Sequence, residues 1–191
     1  MTLTPPAMLA SAASEVDAGH DLLDGCVAGS AAAWRSLHQR YHRTALSVLR
    51  RLGVPAAHLE DACQEVFVDV FRYLPRFRRE ADFRTWLYRI CLSRARVARR
   101  RARVWSLFAR LSPQVGPDLV EQPFDEGQAG RQLARTLERL SEAERVVFVL
   151  FELEGLSGQE IAEVIERPAA TVFRRLHDAR KRFATALEEG L

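Results

Sequence analysis

Apolar residues recur along this chain at spacings of three and four almost everywhere, and no alternating run rich in Val, Ile and Thr interrupts them. The pattern predicts an all-α protein. A first helix is expected from about Val16 to Val27; Gly29 and Ser30 break it and cap a second, from Ala31 to about Leu52, which Gly53 and Pro55 end. The third, from about Ala57 to Leu74, sets Leu59, Ala62, Cys63, Val66, Phe67, Val70, Phe71 and Leu74 on one stripe to be buried in a bundle. Pro75 stops it. A loop over Arg76 to Asp82 then leads into a fourth helix that starts near Phe83 and continues through an arginine-rich tract.

From Ser112 to Gln128 the composition changes to proline and glycine with four acids and no base, which predicts a flexible acidic linker. Beyond it, Arg131 to Leu140 and Glu142 to Glu154 carry helical periodicity. Ser141 with Glu144, and Ser157 with Glu160, have the spacing of capping boxes, in which serine and glutamate satisfy each other's backbone donors. Gly155 closes one helix, Arg167 and Pro168 close the next, and a last helix starts near Ala169. The chain therefore divides into a loose tail (1–15), a helical domain (16–111), a linker (112–128) and a second helical domain (129–191).

In the last helix Val172, Leu176, Ala179 and Phe183 fall on one face, so Thr171, Arg174, His177, Asp178 and Lys181 must point outward. With Ile161, Ala162 and Ile165 packing the short helix before it, this is a helix-turn-helix, which lays its second helix in a major groove. Phe173 at the edge of that face either meets a thymine methyl or covers a neighbouring helix.

Charge sharpens the picture. The segment Arg72 to Arg110 holds thirteen Arg against Glu80 and Asp82, a net of +11 in a chain whose total is only +3. Such segregation creates a local field for phosphate and leaves other surfaces to meet something else. Lys181 is the sole lysine, and guanidinium makes forked contacts to phosphate and guanine that ammonium does not; a bias in the base composition of the genome explains the same preference. Cys26, Cys63 and Cys91 form no CxxC pair, which argues against a disulfide framework or zinc knuckle and fits a reducing cytoplasm; Cys63 and Cys91 are expected to be buried. The beginning of the chain lacks the pattern of a signal peptide, and no apolar run approaches the ~18 residues of a membrane span. His38 and His42 share a helix face without a third ligand, and His177 has no partner at ligand spacing, so no metal or other cofactor is expected. Neither a nucleophile elbow nor a phosphate loop is present, which speaks against an enzyme.

These residues resemble a known family. Leu140 to Phe183, "LSEAERVVFVLFELEGLSGQEIAEVIERPAATVFRRLHDARKRF", resembles region four of the extracytoplasmic-function (group four) sigma factors of bacterial RNA polymerase; Leu59 to Arg103, in "LEDACQEVFVDVFRYLPRF" and "FRTWLYRICLSRARV", resembles region two. The likeness spans roughly Asp21 to Ala186, in the right order and with the right linker. It implies a dissociable specificity subunit that docks on core RNA polymerase, through the clamp helices of the largest subunit and the beta flap, and directs promoter-specific initiation. Asp61, Gln64, Glu65 and Val68 match the family's clamp-facing DxxQE positions. The loop before the fourth helix is where the family captures a flipped base of the melted minus-ten strand, which implicates Arg76, Phe77, Arg78, Arg79, Phe83, Arg84, Tyr88, Arg89, Arg96 and Arg100, with Arg99 and Arg103 as further phosphate contacts. Trp86 and Tyr88 could also stack on bases, although Trp86, one turn from Phe83 and Ile90, is expected more to pack in the core. Thr171, Phe173, Arg174, Arg175, His177, Asp178 and Lys181 would read the minus-thirty-five duplex. In the family the linker threads the polymerase cleft, and an anti-sigma factor is a common partner.

The chain departs from the family at the recognition helix. Where the family often has Gly-Thr-Val-Arg/Lys-Ser/Thr-Arg with a further Arg two turns in, this sequence has Ala170, Thr171, Val172, Phe173, Arg174, Arg175 and then Asp178. An acid repels phosphate but accepts from cytosine N4, so an altered base preference is expected. The competing reading is a free-standing helix-turn-helix regulator, which would bind duplex DNA unaided and need no clamp-facing ledge.

Overall fold

The computed structural model describes residues 21–79, 82–111 and 127–189, and these are helical throughout, with no strand among them. The expected tail, the start of the first helix and nearly all of the acidic linker lie outside the described residues. Helix α1 covers 21–27, and Gly29, in the left-handed region at φ 83°, turns the chain into α2 (Ala31–Arg51), whose first turn is capped by Ser30 Oγ accepting from Ala33 N. Gly53 ends α2 in the same way, at φ 84°. Helix α3 (Leu59–Tyr73) follows a short 3₁₀ turn, and Pro75 sits in a second such turn before the loop to α4 (Phe83–Leu111).

Helices α2, α3 and α4 pack pairwise into one bundle around Leu37, Val48, Leu49, Val66, Val70, Leu87 and Cys91. The stripe expected on α3 is buried at Leu59, Ala62, Cys63, Val66, Val70 and Leu74, but Phe67 is half-buried and Phe71 is 63% exposed. At about 100° per residue Phe67 and Phe71 fall progressively farther from the centre of that stripe, so a nominally continuous apolar face is wider than the bundle can cover.

The second bundle contains α5 (Gln128–Glu138), α6 (Glu142–Phe148), α7 (Gly158–Ile165) and α8 (Ala169–Glu189), with α5, α6 and α7 packed on α8. Both capping boxes form: Ser141 N donates to Glu144 Oε2 at 3.0 Å, and Ser157 N to Glu160 Oε2 at 2.7 Å, with each serine hydroxyl accepting in return. The helix expected to run regularly to Glu154 instead widens into a π turn over Val149–Leu153. That turn keeps Val149 and Leu150 in the core, and the following Glu154 reaches across to the first bundle.

Candidate functional site

Asp61, Gln64 and Val68 stand exposed on the side of α3 away from its buried stripe. Phe71 extends this ledge, its ring backed by Trp34 at a centroid distance of 4.9 Å. Sequence periodicity had assigned Phe71 to the core; its position at the margin of the stripe was the signal that it belongs to the ledge. Glu65 is turned sideways. It accepts from Arg94 Nη1 at 2.8 Å and Arg101 Nη1 at 2.9 Å, while Arg94 also grips buried Asp69 with Nε and Nη2, each at 2.5 Å. Those hydrogen bonds, Asp69 first, raise the guanidinium's affinity for its proton and tie α3 to α4.

The basic tract is not uniformly free. Among the described residues the guanidinium groups of Arg72, Arg76, Arg78, Arg100 and Arg103 carry no ion pair or hydrogen bond, and all five are exposed. Arg79, left-handed at φ 58°, is paired with Asp24 of α1, so the loop before α4 is held against the first helix. Behind that loop Phe77, Phe83 and Trp86 form an aromatic cluster, with Phe77 to Trp86 at 5.0 Å and Phe83 to Trp86 at 5.6 Å, and Tyr41 closes it 4.9 Å from Phe83. Phe83 is buried, Phe77 and Trp86 half-buried.

Tyr88 is buried too, and its partner is in the other bundle. Its hydroxyl donates to Glu154 Oε2 at 2.7 Å, and Arg51 Nη1 donates to Glu154 Oε1 at 2.6 Å. Arg84 Nη2 reaches the Glu154 carbonyl at 3.2 Å, Thr85 Oγ1 lies 3.4 Å from Glu160 Oε1, and Arg89 Nη2 donates to the Glu163 carbonyl at 2.6 Å. Farther along α4, Arg99 and Arg96 lie 3.3 and 3.7 Å from the Glu142 carboxylate. Buried Arg145 fits where residue 53 has no side chain: a Cβ on Gly53 would stand 2.1 Å from Arg145 Nη1.

On α8 the outer face is open. Phe173, Arg174, His177, Asp178 and Lys181 are exposed, Thr171 and Arg175 half-buried, while Val172, Leu176 and Ala179 are buried and Phe183 stacks on Phe148 at 4.4 Å. Phe173 covers the neighbouring helix and keeps an open edge. Its ring covers Gly158 at the start of α7, where a Cβ would come within 2.5 Å of Cζ, and it remains 54% exposed. His177 Nδ1 lies 3.3 Å from Asp178 Oδ1 on this face. No group of three His, Cys, Asp or Glu able to hold a metal occurs among the described residues, and none of the helices searched is long and apolar enough to cross a membrane.

Residues 37–104 match Sigma-70 region 2 and residues 130–183 match Sigma-70, region 4. The ECF RNA polymerase sigma-E factor of Escherichia coli (strain K12) is 32% identical over 173 residues, covering 80% of this chain and 85% of that protein. The chain belongs to the extracytoplasmic-function group of sigma-70 factors. The RNA polymerase sigma-H factor of Pseudomonas aeruginosa is 30% identical over 180 residues, 84% of this chain and 89% of its own length. Among solved structures, CnrH in complex with the cytosolic domain of CnrY superposes with a TM-score of 0.66 at 28% identity, covering 88% of this chain and 96% of that one. The sigma factor RpoE of Bartonella quintana, solved with the anti-sigma factor NepR, shares the fold at a TM-score of 0.65 and 16% identity, over 81% of this chain and 96% of that one. The protein is thus an RNA polymerase sigma factor directing promoter-specific initiation, and the free-standing regulator is not favoured, because region two precedes region four in the same chain.

Proposed function

We propose that this sigma factor divides its work between three surfaces: the α3 ledge docks on core polymerase, the loop before α4 with the start of α4 captures the melted minus-ten strand, and the outer face of α8 reads the minus-thirty-five duplex. The observation that carries the reading is the ledge. Asp61, Gln64, Val68 and Phe71 present acid, amide and apolar surface together on a helix whose opposite face is core, a combination suited to a protein partner and not to phosphate. Arg76, Arg78, Arg100 and Arg103 offer exposed guanidinium groups to the nucleic-acid backbone, and the Phe77, Phe83 and Trp86 cluster lies where an extruded base would need aromatic walls. Residues 16–111 and 129–191 serve as the two working domains, with 112–128 as the linker between them.

Under this reading the protein catalyses nothing itself; phosphoryl transfer belongs to the polymerase. It works in the cytoplasm, where polymerase and chromosome are, and an anti-sigma factor is its regulatory partner, as the anti-sigma factor NepR accompanies RpoE in the solved complex. Band-shift assays on promoter DNA with and without core enzyme test the assignment. Appreciable promoter binding is expected only with core, with a steep salt dependence from the arginine contacts; a shift of equal strength by the chain alone would overturn it.

A further inference from the structure

Phe173 brings a large apolar side chain to the first turns of α8, among the exposed Arg174, His177 and Lys181. More than half of its surface is open, yet the ring is not loose. Its tip is seated on Gly158, the first residue of α7: a Cβ there would stand 2.5 Å from Cζ, 3.0 Å from Cε1 and 3.1 Å from Cε2. Gly158 is buried and does not take a positive φ, so what the position supplies is the missing Cβ and not a special torsion. We propose that Phe173 reads the C5 methyl of a thymine in the minus-thirty-five major groove, with Gly158 as the seat that fixes its ring. The proposal rests on the reading of α8 given above and names a base which that face selects.

The chemistry of the groove makes the choice. Each base pair presents donors and acceptors there, but thymine alone adds an apolar group, its methyl. A phenyl ring makes no conventional hydrogen bond, so it gains at the methyl and covers the polar edge of a G·C pair without satisfying it. Selection therefore works in both directions. Seating adds to it: a ring already held against Gly158 has little rotational freedom left to lose when DNA arrives. Phe173 and His177 lie one turn apart on α8 with Arg174 beside them, so the ring meets a base next to those within reach of the polar side chains. Phe173 also stands where the family pattern has Arg or Lys, and this chain thereby exchanges a donor for an apolar contact.

The test uses holoenzyme assembled from the full chain and a promoter it selects from a randomised library. Each thymine of the minus-thirty-five element, on either strand, is replaced in turn by deoxyuridine, which removes the methyl and leaves every hydrogen-bonding group in place. Wild-type holoenzyme should bind about fourfold more weakly at one or two of these positions, the scale of one buried methyl. With Phe173→Ala the thymine and deoxyuridine promoters should bind alike, and with Phe173→Leu part of the difference should return. Gly158→Ala is the second variant. Alanine suits a helix better than glycine, so the fold should hold by circular dichroism while the added Cβ displaces the ring and shrinks the methyl effect. Wild-type indifference to every deoxyuridine, a selected element made of G·C pairs alone, a methyl effect that survives Phe173→Ala, or one untouched by Gly158→Ala would each overturn the proposal. Failure of the α8 reading itself would look different: wild-type holoenzyme would bind equally well with the whole minus-thirty-five element scrambled.

Discussion

The Tyr88 hydroxyl donates to the Glu154 carboxylate at 2.7 Å across the boundary between two bundles that the sequence separates by a linker. The contact is costly to break cleanly, because the ring is buried and the carboxylate nearly so. Burial, and after it the hydrogen bond to Glu154, pushes the phenol's pKa far above its ordinary value, so the neutral donor persists throughout the physiological range. Tyr88→Phe keeps the packing and removes one donor to a buried acid, leaving Arg51 as the partner of that carboxylate. A loss of about 1 to 2 kcal/mol in unfolding free energy is expected from urea titration followed by circular dichroism. An unchanged midpoint would mean that the bond contributes nothing to holding the bundles together.

The ledge on α3 gives a prediction of the opposite kind. Phe71 is exposed and Val68 beside it is exposed, so removing them should leave the bundle intact. Phe71→Ser combined with Val68→Ser should lower affinity for core polymerase by about tenfold or more, the usual effect of deleting a central apolar contact at an interface, with thermal unfolding within a degree or two of wild type. Competition for core enzyme against an unmodified sigma factor measures it, and undiminished competition would move the docking site elsewhere.

Helical periodicity, capping pairs and glycine stops were legible because each is a local relation. Ser141 with Glu144, Ser157 with Glu160, and Gly53 before Pro55 act within one turn of chain, and all stand where the sequence placed them. Phe71 was misassigned to the core because periodicity fixes the direction of a face but not how much of it a neighbouring helix covers. The pairing of Arg94 with Asp69, and of Tyr88, Arg84 and Arg89 with the second bundle, was invisible for a related reason. A count of arginines measures charge before compensation, and the compensating atoms lie 25 to 74 residues away, two of them backbone carbonyls that every residue possesses.

At the recognition helix Asp178 is exposed, next to His177, on the face that carries Arg174 and Lys181. A carboxylate there repels the DNA backbone but accepts from cytosine N4 in the major groove. Asp178→Ala should therefore change the base preferred at one position of the minus-thirty-five element while the minus-ten preference stays as it is. Selection from a randomised promoter library by holoenzyme containing either form tests this, and identical minus-thirty-five preferences would assign Asp178 to solvent.

Cys63 and Cys91 are buried on the facing sides of α3 and α4, where desolvation raises both thiol pKa values, that of Cys63 to about 12. Neither should react with iodoacetamide at neutral pH while the bundle is folded, since alkylation requires exposed thiolate. The same shifts set an alkaline limit on stability. An unfolded cysteine releases its proton near pH 8.5, whereas the folded thiols hold theirs, so the folded state binds more protons above that pH. Their contribution is fully present below about pH 8.5 and declines as pH rises through the window towards 12. Urea midpoints taken across this range should fall with increasing pH for wild type and fall less for Cys63→Ala with Cys91→Ala, whose starting stability is lower because of the volume lost from the core. Equal slopes for the two proteins would show that the thiols ionise as readily in the bundle as in the unfolded chain.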